Sequence, residues 1–256
     1  MSRLVPAVTR ALDILELFLG VEDSMTASQI QRMTGLPRTT VHELVTTLVA
    51  RRYLSAEPGG GYRLGVRLHQ LGSQYGEQFD LAAAGREVAA SVVAECGETV
   101  HVAVLEDTDV IYIAKVDSTH TVRMVSASGR RLPAHCTAVG KMLLASLAES
   151  ELAQLFPVET ALPAMTSQTI TGAAALGRQL AAIRARGVAI EECESNPDVC
   201  CLAAPVRDRS GTVIAALSIS VPLPRWNARR RDELQPLAVA GAARLSERLG
   251  YEPRRR

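Results

Sequence analysis

The sequence predicts an α+β protein in two parts: a small helix–turn–helix unit closed by a hairpin, then a larger domain with a largely antiparallel sheet. Three observations predict it. Apolar residues recur at helical spacing through the first fifty positions, with a glycine between two short helices. The turn signal Glu57-Pro58-Gly59-Gly60-Gly61 separates two short strand-like runs. Beyond residue 80, helical stretches are mixed with strand-like runs, several joined by tight turns such as Glu106-Asp107-Thr108-Asp109.

The elements follow in order. Ala11, Leu12, Ile14, Leu15, Leu17, Phe18 and Leu19 mark a first helix. Thr26 is placed to cap a second helix, with Gln29 three residues on as in a capping box, and Gly35 suits its left-handed end. Pro37 fits the first turn of a third helix, where its missing N–H costs nothing, and Val41, Leu44, Val45 and Leu48 share one face of that helix. Short strands are expected at 53–56 and 62–64, and a more polar connecting helix from 66 to about 79. The second domain is predicted to hold helices over 81–96, 137–147, 171–186 and 227–249. Its predicted strands lie at 99–105, 110–116, 122–125, 188–191, 202–206 and 212–221.

Composition narrows the function. The chain has 256 residues, 47% hydrophobic and 21% charged, with a formal net charge of +1. That length suits two domains with sizeable cores and excludes an acidic disordered chain or a polybasic tail protein. Only Lys115 and Lys141 are lysines among 28 basic residues, and arginine suits bidentate recognition of phosphate and carboxylate. Aromatics at 4% argue against a base-stacking single-strand binder. No apolar run reaches the roughly 18 residues of a membrane span, and Asp13 and Glu16 break the early apolar stretch, unlike a signal-peptide core. Five cysteines, an odd number without a CxxC pair, predict free thiols and a cytoplasmic protein.

The segment from Thr26 to Leu48 has the layout of a DNA-binding helix–turn–helix. Its second helix is predicted to expose Arg38, Thr39, Thr40 and His42 while Val41, Leu44 and Val45 face inward. Such side chains reach base edges and phosphates. Arg63 lies on the hairpin that follows, as on a wing, and Arg51 and Arg52 end the helix where they suit its negative pole and can touch phosphate. Through residue 65, seven arginines face six acidic residues, so one copy alone would bind weakly and dimerisation is implied. Glu43 can accept from cytosine or, more simply, pair with an arginine on the surface.

Three segments of the second domain suit a small ligand. The run His135-Cys136-Thr137-Ala138-Val139-Gly140-Lys141 opens a helix, whose free N–H groups attract an anion; Lys141, one turn in, can add charge or point to solvent. Glu191 ends one strand and Cys201 opens the next. Ser218 and Ser220, two apart in an apolar strand, share a face and need partners if buried. Met124, Leu132, Val139 and Ile219 are the expected apolar lining of this cleft.

The motifs together resemble the IclR family of bacterial transcriptional regulators over essentially the whole chain. They are Ala11-Leu12-Asp13-Ile14-Leu15, Thr39-Thr40-Val41-His42 with Leu48, Tyr62-Arg63-Leu64-Gly65, Thr137-Ala138-Val139-Gly140-Lys141, Thr169-Ile170-Thr171, Arg186-Gly187-Val188-Ala189, Ala203-Ala204-Pro205-Val206 and Ser218-Ile219-Ser220. The resemblance implies a winged helix–turn–helix over 1–65, a linker helix over 66–80 and a GAF/PAS-like effector-binding domain over 81–256. It further implies a homodimer or dimer of dimers on a palindromic double-stranded operator, and a small organic acid as effector. It assigns effector contacts to Ala138, Val139, Glu191, Cys201, Ser218 and Ser220, with no cofactor. Glu43 departs from the basic residue often found there, Glu191 from a common aspartate, and Asp198 from a glycine that would take positive φ easily.

Other chemistry is weighed against this. Cys201 or Cys136 would be the nucleophile of an enzyme, with His135 or His101 as base. Cys136, Cys193, Cys200, Cys201 and the histidines would supply a zinc site, though no paired spacing favours one. Adjacent Cys200 and Cys201 would supply a redox pair.

Overall fold

A computed structural model describes residues 4–20, 24–78, 81–120, 129, 131–157, 159 and 161–252. The chain divides into two compact units, Met1–Phe79 and Asp80–Arg256. In the first, α1 (Pro6–Glu16) runs into a short 3-10 turn at Leu17–Gly20. A two-residue strand β1 (Met25–Thr26) leads into α2 (Ala27–Thr34). Thr26 caps α2 as expected: its hydroxyl accepts from the Gln29 N–H while the Gln29 side chain accepts from the Thr26 N–H. Gly35 ends α2 at φ 68°, a left-handed conformation that glycine adopts without a Cβ penalty.

The third helix, α3, spans Arg38–Ala50 and is followed by β2 (Leu54–Ala56), β3 (Gly61–Leu64) and α4 (Val66–Gln78). Pro37 stands one position earlier than expected, as the N-cap itself. Ile14, Phe18, Ile30, Val41, Val45, Leu48 and Leu54 form the core of this unit, and Leu44 packs against it. The small sheet has strand order β1-β3-β2, with Met25 opposite Tyr62 and Ser55 opposite Arg63. The strand β1 escapes sequence reading because two residues show no alternation and its partner lies more than thirty positions away.

The second unit is a six-stranded antiparallel sheet between two helical layers. Helix α5 (Leu81–Cys96) precedes β4 (Thr99–Glu106) and β5 (Asp109–Val116). Then come β6 (Arg131–Pro133), α6 (Ala138–Ala145), α7 (Glu149–Leu155) and α8 (Ala173–Arg186). The chain continues through β7 (Ala189–Glu192), β8 (Val199–Arg207), β9 (Val213–Pro222) and α9 (Ala228–Arg248), the last capped by the Asn227 side chain. The strand order is β6-β5-β4-β9-β8-β7, antiparallel throughout. One sheet face, carrying Val100, Val102, Leu202, Leu217 and Ile219, packs on α5 and α9. The other, carrying Ala103, Ala189, Ala203 and Ala216, packs on α6 and α8.

Neither β6 nor α7 is legible in the sequence, since each is too short to show a period. The expected strand at 122–125 lies outside the described residues, as does Met124. The cap at α2 is testable. Thr26→Ala should lower the stability of the first unit by about 1 kcal/mol, read by urea denaturation of the full chain, with no change in helix content at zero urea.

Candidate functional site

The strand register assembles the polar side chains of the second unit into two rows. Thr99 on β4 lies opposite Ser220 on β9, Ser220 opposite Cys201 on β8, and Cys201 opposite Glu191 on β7. The next row holds His101, Ser218, Ala203 and Ala189. Because strand side chains alternate, both rows lie on the face that packs against α6. The same alternation sends Ile219 to the opposite face, against α5 and α9, so Ile219 is not part of the lining. Leu132 and Val139 do lie on the α6 side.

Helix α6 opens over these rows. Thr137 is its N-cap, with the hydroxyl accepting from the Gly140 N–H. A Cβ at Gly140 would lie 2.2 Å from the Ala134 carbonyl oxygen, so only glycine lets the preceding turn fold this tightly. Ala138 and Val139 are each 1% exposed, and their N–H groups, in the first helical turn, have no intrahelical acceptor.

Lys141 does not reach solvent. It is completely buried, and its ammonium binds the Glu194 carboxylate in the β7–β8 turn. A buried ammonium needs a partner, and Glu194, also buried, supplies one. Glu191 is fully buried too, and its Oε1 accepts the backbone N–H groups of Glu194 and Ser195 at 2.5 and 2.9 Å. Its Oε2, like Oε2 of Glu194, has no hydrogen-bond partner among the described residues. Burial pushes the Glu191 carboxyl up to about 7, against the lowering effect of those two N–H groups.

Beside Glu191, the Cys201 thiol donates to Ser220 Oγ at 3.2 Å, and Ser220 Oγ lies 3.3 Å from His101 Nδ1. The His101 ring packs against Tyr112 at a centroid distance of 4.8 Å. Burial lowers the His101 pKa to about 4, with the Lys115 charge adding to the effect, so the ring is neutral. The turn after β7 takes its positive φ at Cys193, φ 58°, and not at Asp198, so the departure from glycine at 198 carries no strain.

In the first unit, Arg38, Thr39 and His42 are exposed and Thr40 is half-buried at the start of α3. Pro37 offers no side-chain cap, so N–H groups of the first turn remain open to an acceptor. With Ser28 and Gln31 of α2, Arg38, Thr39 and His42 line a groove of about 430 Å³. Arg63 on the hairpin is exposed but paired, its Nε 2.7 Å from Glu57. Glu43 is exposed and forms no ion pair among the described residues, contrary to the expected arginine partner. Arg52 follows α3 at φ 64°, and its carbonyl accepts from the Arg67 N–H.

Comparison with known proteins places both units. Residues 7–58 match the IclR helix-turn-helix domain, and residues 73–247 match the C-terminal domain of the bacterial transcriptional regulator IclR. The chain belongs to the IclR family of bacterial transcriptional regulators. Its relatives include the HTH-type transcriptional regulator XynR of Escherichia coli, 34% identical over 97% of this chain and 98% of that protein. The transcriptional repressor IclR of the same organism is 30% identical over 94% of this chain and 89% of that one. The crystal structure of an IclR homologue from Microbacterium hydrocarbonoxydans, complexed with 4-hydroxybenzoate, superposes with a TM-score of 0.84 at 27% identity, covering 95% of this chain and 98% of that one.

This IclR-family protein is therefore a helix–turn–helix transcriptional regulator with a ligand-binding C-terminal domain, related to regulators and not to enzymes. The thiol chemistry agrees. Burial pushes Cys136 up to about 12 and raises Cys201 well above a free thiol, the reverse of an activated nucleophile. His101 is too weak a base to reverse that, and the His135 ring is engaged with the Pro163 carbonyl, its Nε2 2.9 Å away. Among the described residues, no group of three or more His, Cys, Asp or Glu is placed to hold a metal. No described helix is long and apolar enough to cross a membrane.

Sequence reasoning singled out Glu191, Cys201, Ser218 and Ser220 segment by segment, but it did not join them to Thr99 and His101 in rows, and it missed Glu194 and the burial of Lys141. Their partnership spans 53 positions, which no local pattern reports. The Lys141–Glu194 pair sets one expectation. Lys141→Met should destabilise the second unit by about 3–5 kcal/mol, because it leaves a buried carboxylate unpaired. Adding Glu194→Gln should recover part of that loss in a thermal melt. The Glu191 carboxyl sets another. Its folded pKa, about 7, lies above the unfolded value near 4.5, so the folded state binds more protons between them. Its contribution to stability therefore falls as pH rises from about 4.5 to about 7. His101 acts in the opposite sense between about 4 and 6.5. The difference between wild type and Glu191→Gln in urea melts should isolate the falling limb, and a flat difference would contradict the burial of this acid.

Proposed function

We propose that this regulator is a repressor of a catabolic or metabolic operon, released from or held on DNA by a small carboxylate-bearing effector. Residues 1–65 bind DNA, 66–80 link, and 81–256 sense the effector. Arg38, Thr39, Thr40 and His42 enter the major groove, and Arg63 exchanges Glu57 for the DNA backbone or minor groove. The protein works in the cytoplasm as a homodimer or dimer of dimers on a palindromic operator, which multiplies phosphate contacts that are sparse in one copy.

The effector carboxylate takes the N–H groups of Ala138 and Val139, while Glu191, Cys201, Ser218 and Ser220 receive its other polar groups. The observation that carries this reading is the buried Glu191 Oε2, without a hydrogen-bond partner among the described residues. A buried acceptor left open costs about 1–3 kcal/mol, so a ligand donor that satisfies it contributes directly to affinity. These residues tolerate an anion because Lys141 offsets Glu194 and burial lifts Glu191 toward neutrality at physiological pH. The Microbacterium homologue, complexed with the aromatic hydroxy acid 4-hydroxybenzoate, supports this class of effector. The E. coli relative named as a repressor supports the direction of control.

Binding changes DNA affinity only insofar as the effector prefers one arrangement of the dimer. A thermal-shift panel of organic acids, 4-hydroxybenzoate included, tests the site. A true effector should raise the melting temperature with concentration as mass action requires. Ser218→Ala with Ser220→Ala should abolish the shift while leaving DNA binding intact. Gel shifts on the upstream intergenic DNA should show a preference over random duplex that Arg38→Ala and Thr39→Ala reduce tenfold or more, about 1.4 kcal/mol. No preference at physiological salt would overturn the DNA reading.

A further inference from the structure

The β7–β8 turn carries a second pair of sulfurs that the effector reading does not use. Cys193 and Cys200 stand with their Sγ atoms 3.7 Å apart. Adjacent residues on a strand face opposite ways, so Cys201 points to the Ser220 row while Cys200 points away from it, toward Cys193. The alternative of a Cys200–Cys201 pair does not fit this geometry: the sulfur near Cys200 is seven residues back, across the turn. The other three thiols are engaged elsewhere or buried: Cys96 and Cys136 are buried, and Cys201 donates to Ser220.

The turn brings the two sulfurs together through its backbone. Cys193 N–H donates to the Val199 carbonyl at 3.0 Å, and Cys193 holds a left-handed φ of 58° to make the reversal. A disulfide needs sulfurs about 2.05 Å apart, so closure asks for a movement of under about 2 Å by side chains already in contact. Cys193 is half-buried and meets solvent, whereas Cys200 is enclosed. Burial pushes the Cys200 thiol up to about 12, which leaves Cys193 as the sulfur that meets an oxidant first.

We propose that Cys193 and Cys200 are a reversible redox modification site, closed to an intramolecular disulfide by a low-molecular-weight disulfide such as oxidised glutathione. In the first step the Cys193 thiol loses its proton to solvent and its sulfur attacks the oxidant. One sulfur–sulfur bond breaks, a mixed disulfide forms, and one thiol leaves. In the second step the Cys200 sulfur, its proton also lost to solvent, attacks Cys193 Sγ. The second oxidant thiol leaves, so two protein thiols are oxidised and one small disulfide is reduced to two thiols. Excess thiol reverses both steps.

The site bears on Glu191 because both belong to one turn. The Thr166 hydroxyl holds the Cys193 carbonyl at 2.7 Å, and the Thr169 hydroxyl holds that of Glu194 at 2.6 Å. The next N–H groups, of Glu194 and Ser195, bind Glu191, and the Glu194 carboxylate binds Lys141. Drawing Cys193 toward β8 moves the segment that positions these groups. This coupling to the effector site rests on the proposed function, whereas the disulfide itself does not.

The test uses the full chain. The reduced protein is incubated with oxidised glutathione and followed by thiol titration, non-reducing peptide mapping and fluorescence. Trp226 is the single tryptophan of the sequence, and its Nε1 donates to Glu192, next to Cys193, at 2.8 Å. Wild type should lose two thiols, yield a Cys193–Cys200 cross-linked peptide and shift Trp226 emission, all reversed by dithiothreitol. Cys193→Ser should lose no thiols to this cross-link. Cys200→Ser and Cys200→Ala should stop at a glutathione adduct on Cys193. Retention of all thiols by wild type, a stable adduct on Cys193 without a cross-link, or a Cys200–Cys201 cross-link would each overturn the proposal. Cross-linked protein should respond to 4-hydroxybenzoate and the other panel acids with a changed melting shift. An unchanged shift would overturn the coupling alone, and no response even from reduced protein would count against the effector reading and not the disulfide.

Discussion

Lys141 sits one turn into α6 with no exposed surface, and its ammonium is bound by Glu194 from the turn between β7 and β8. An unpaired ammonium at that depth would cost several kcal/mol. The helix can therefore seat on the sheet only while that turn faces it. The polar rows beneath α6 depend on this arrangement. It places the start of α6 over the serine and cysteine rows, and it fixes Glu194 so that its own N–H reaches Glu191. Gly140 completes the placement by letting the Ala134 carbonyl lie where any side chain would collide.

The sheet underneath is built to receive the helix. Ala103, Ala189, Ala203 and Ala216 keep the face low, so α6 and α8 approach closely and polar neighbours are drawn out of water. Burial then acts in opposite senses on the two titrating groups of the rows: it lifts Glu191 and depresses His101, holding both closer to neutrality than water would. A site made this way carries little net charge despite its two acids. It is suited to reading a small molecule by hydrogen bonds, and unsuited to nucleophilic chemistry, which requires a lowered thiol pKa.

The first unit solves a different problem. Its core is only a handful of side chains, so its stability leans on local devices: the reciprocal cap at Thr26 and Gln29, the left-handed Gly35, and a three-stranded sheet of minimal length. Those devices hold α3 with its apolar face inward and Arg38, Thr39 and His42 outward. Even the wing arginine is neutralised locally by Glu57. Arg38 at the start of α3 and Arg51 and Arg52 just beyond its end are exposed and form no ion pair among the described residues, so cations stay open to an anion at both ends of that helix.

Much of this was legible before any coordinates, and for a definable reason. Caps, turns and periodicity act over one to four residues, so α2 with Thr26 and Gly35, the inward face of α3, helix α5, and the shared face of Ser218 and Ser220 could be read directly from the chain. The family motifs added the order of the two domains. The short elements β1, β6 and α7 could not be read, each covering too few periods for a pattern to stand out. Register and burial were equally hidden. The rows joining Thr99, Ser220, Cys201 and Glu191, the exclusion of Ile219, the pairing of Lys141 with Glu194 across 53 positions, and the approach of Cys193 to Cys200 were decided by the tertiary structure. Each depends on which strand lies beside which and on how far water is excluded. Those are properties of the folded chain and not of any local stretch of it.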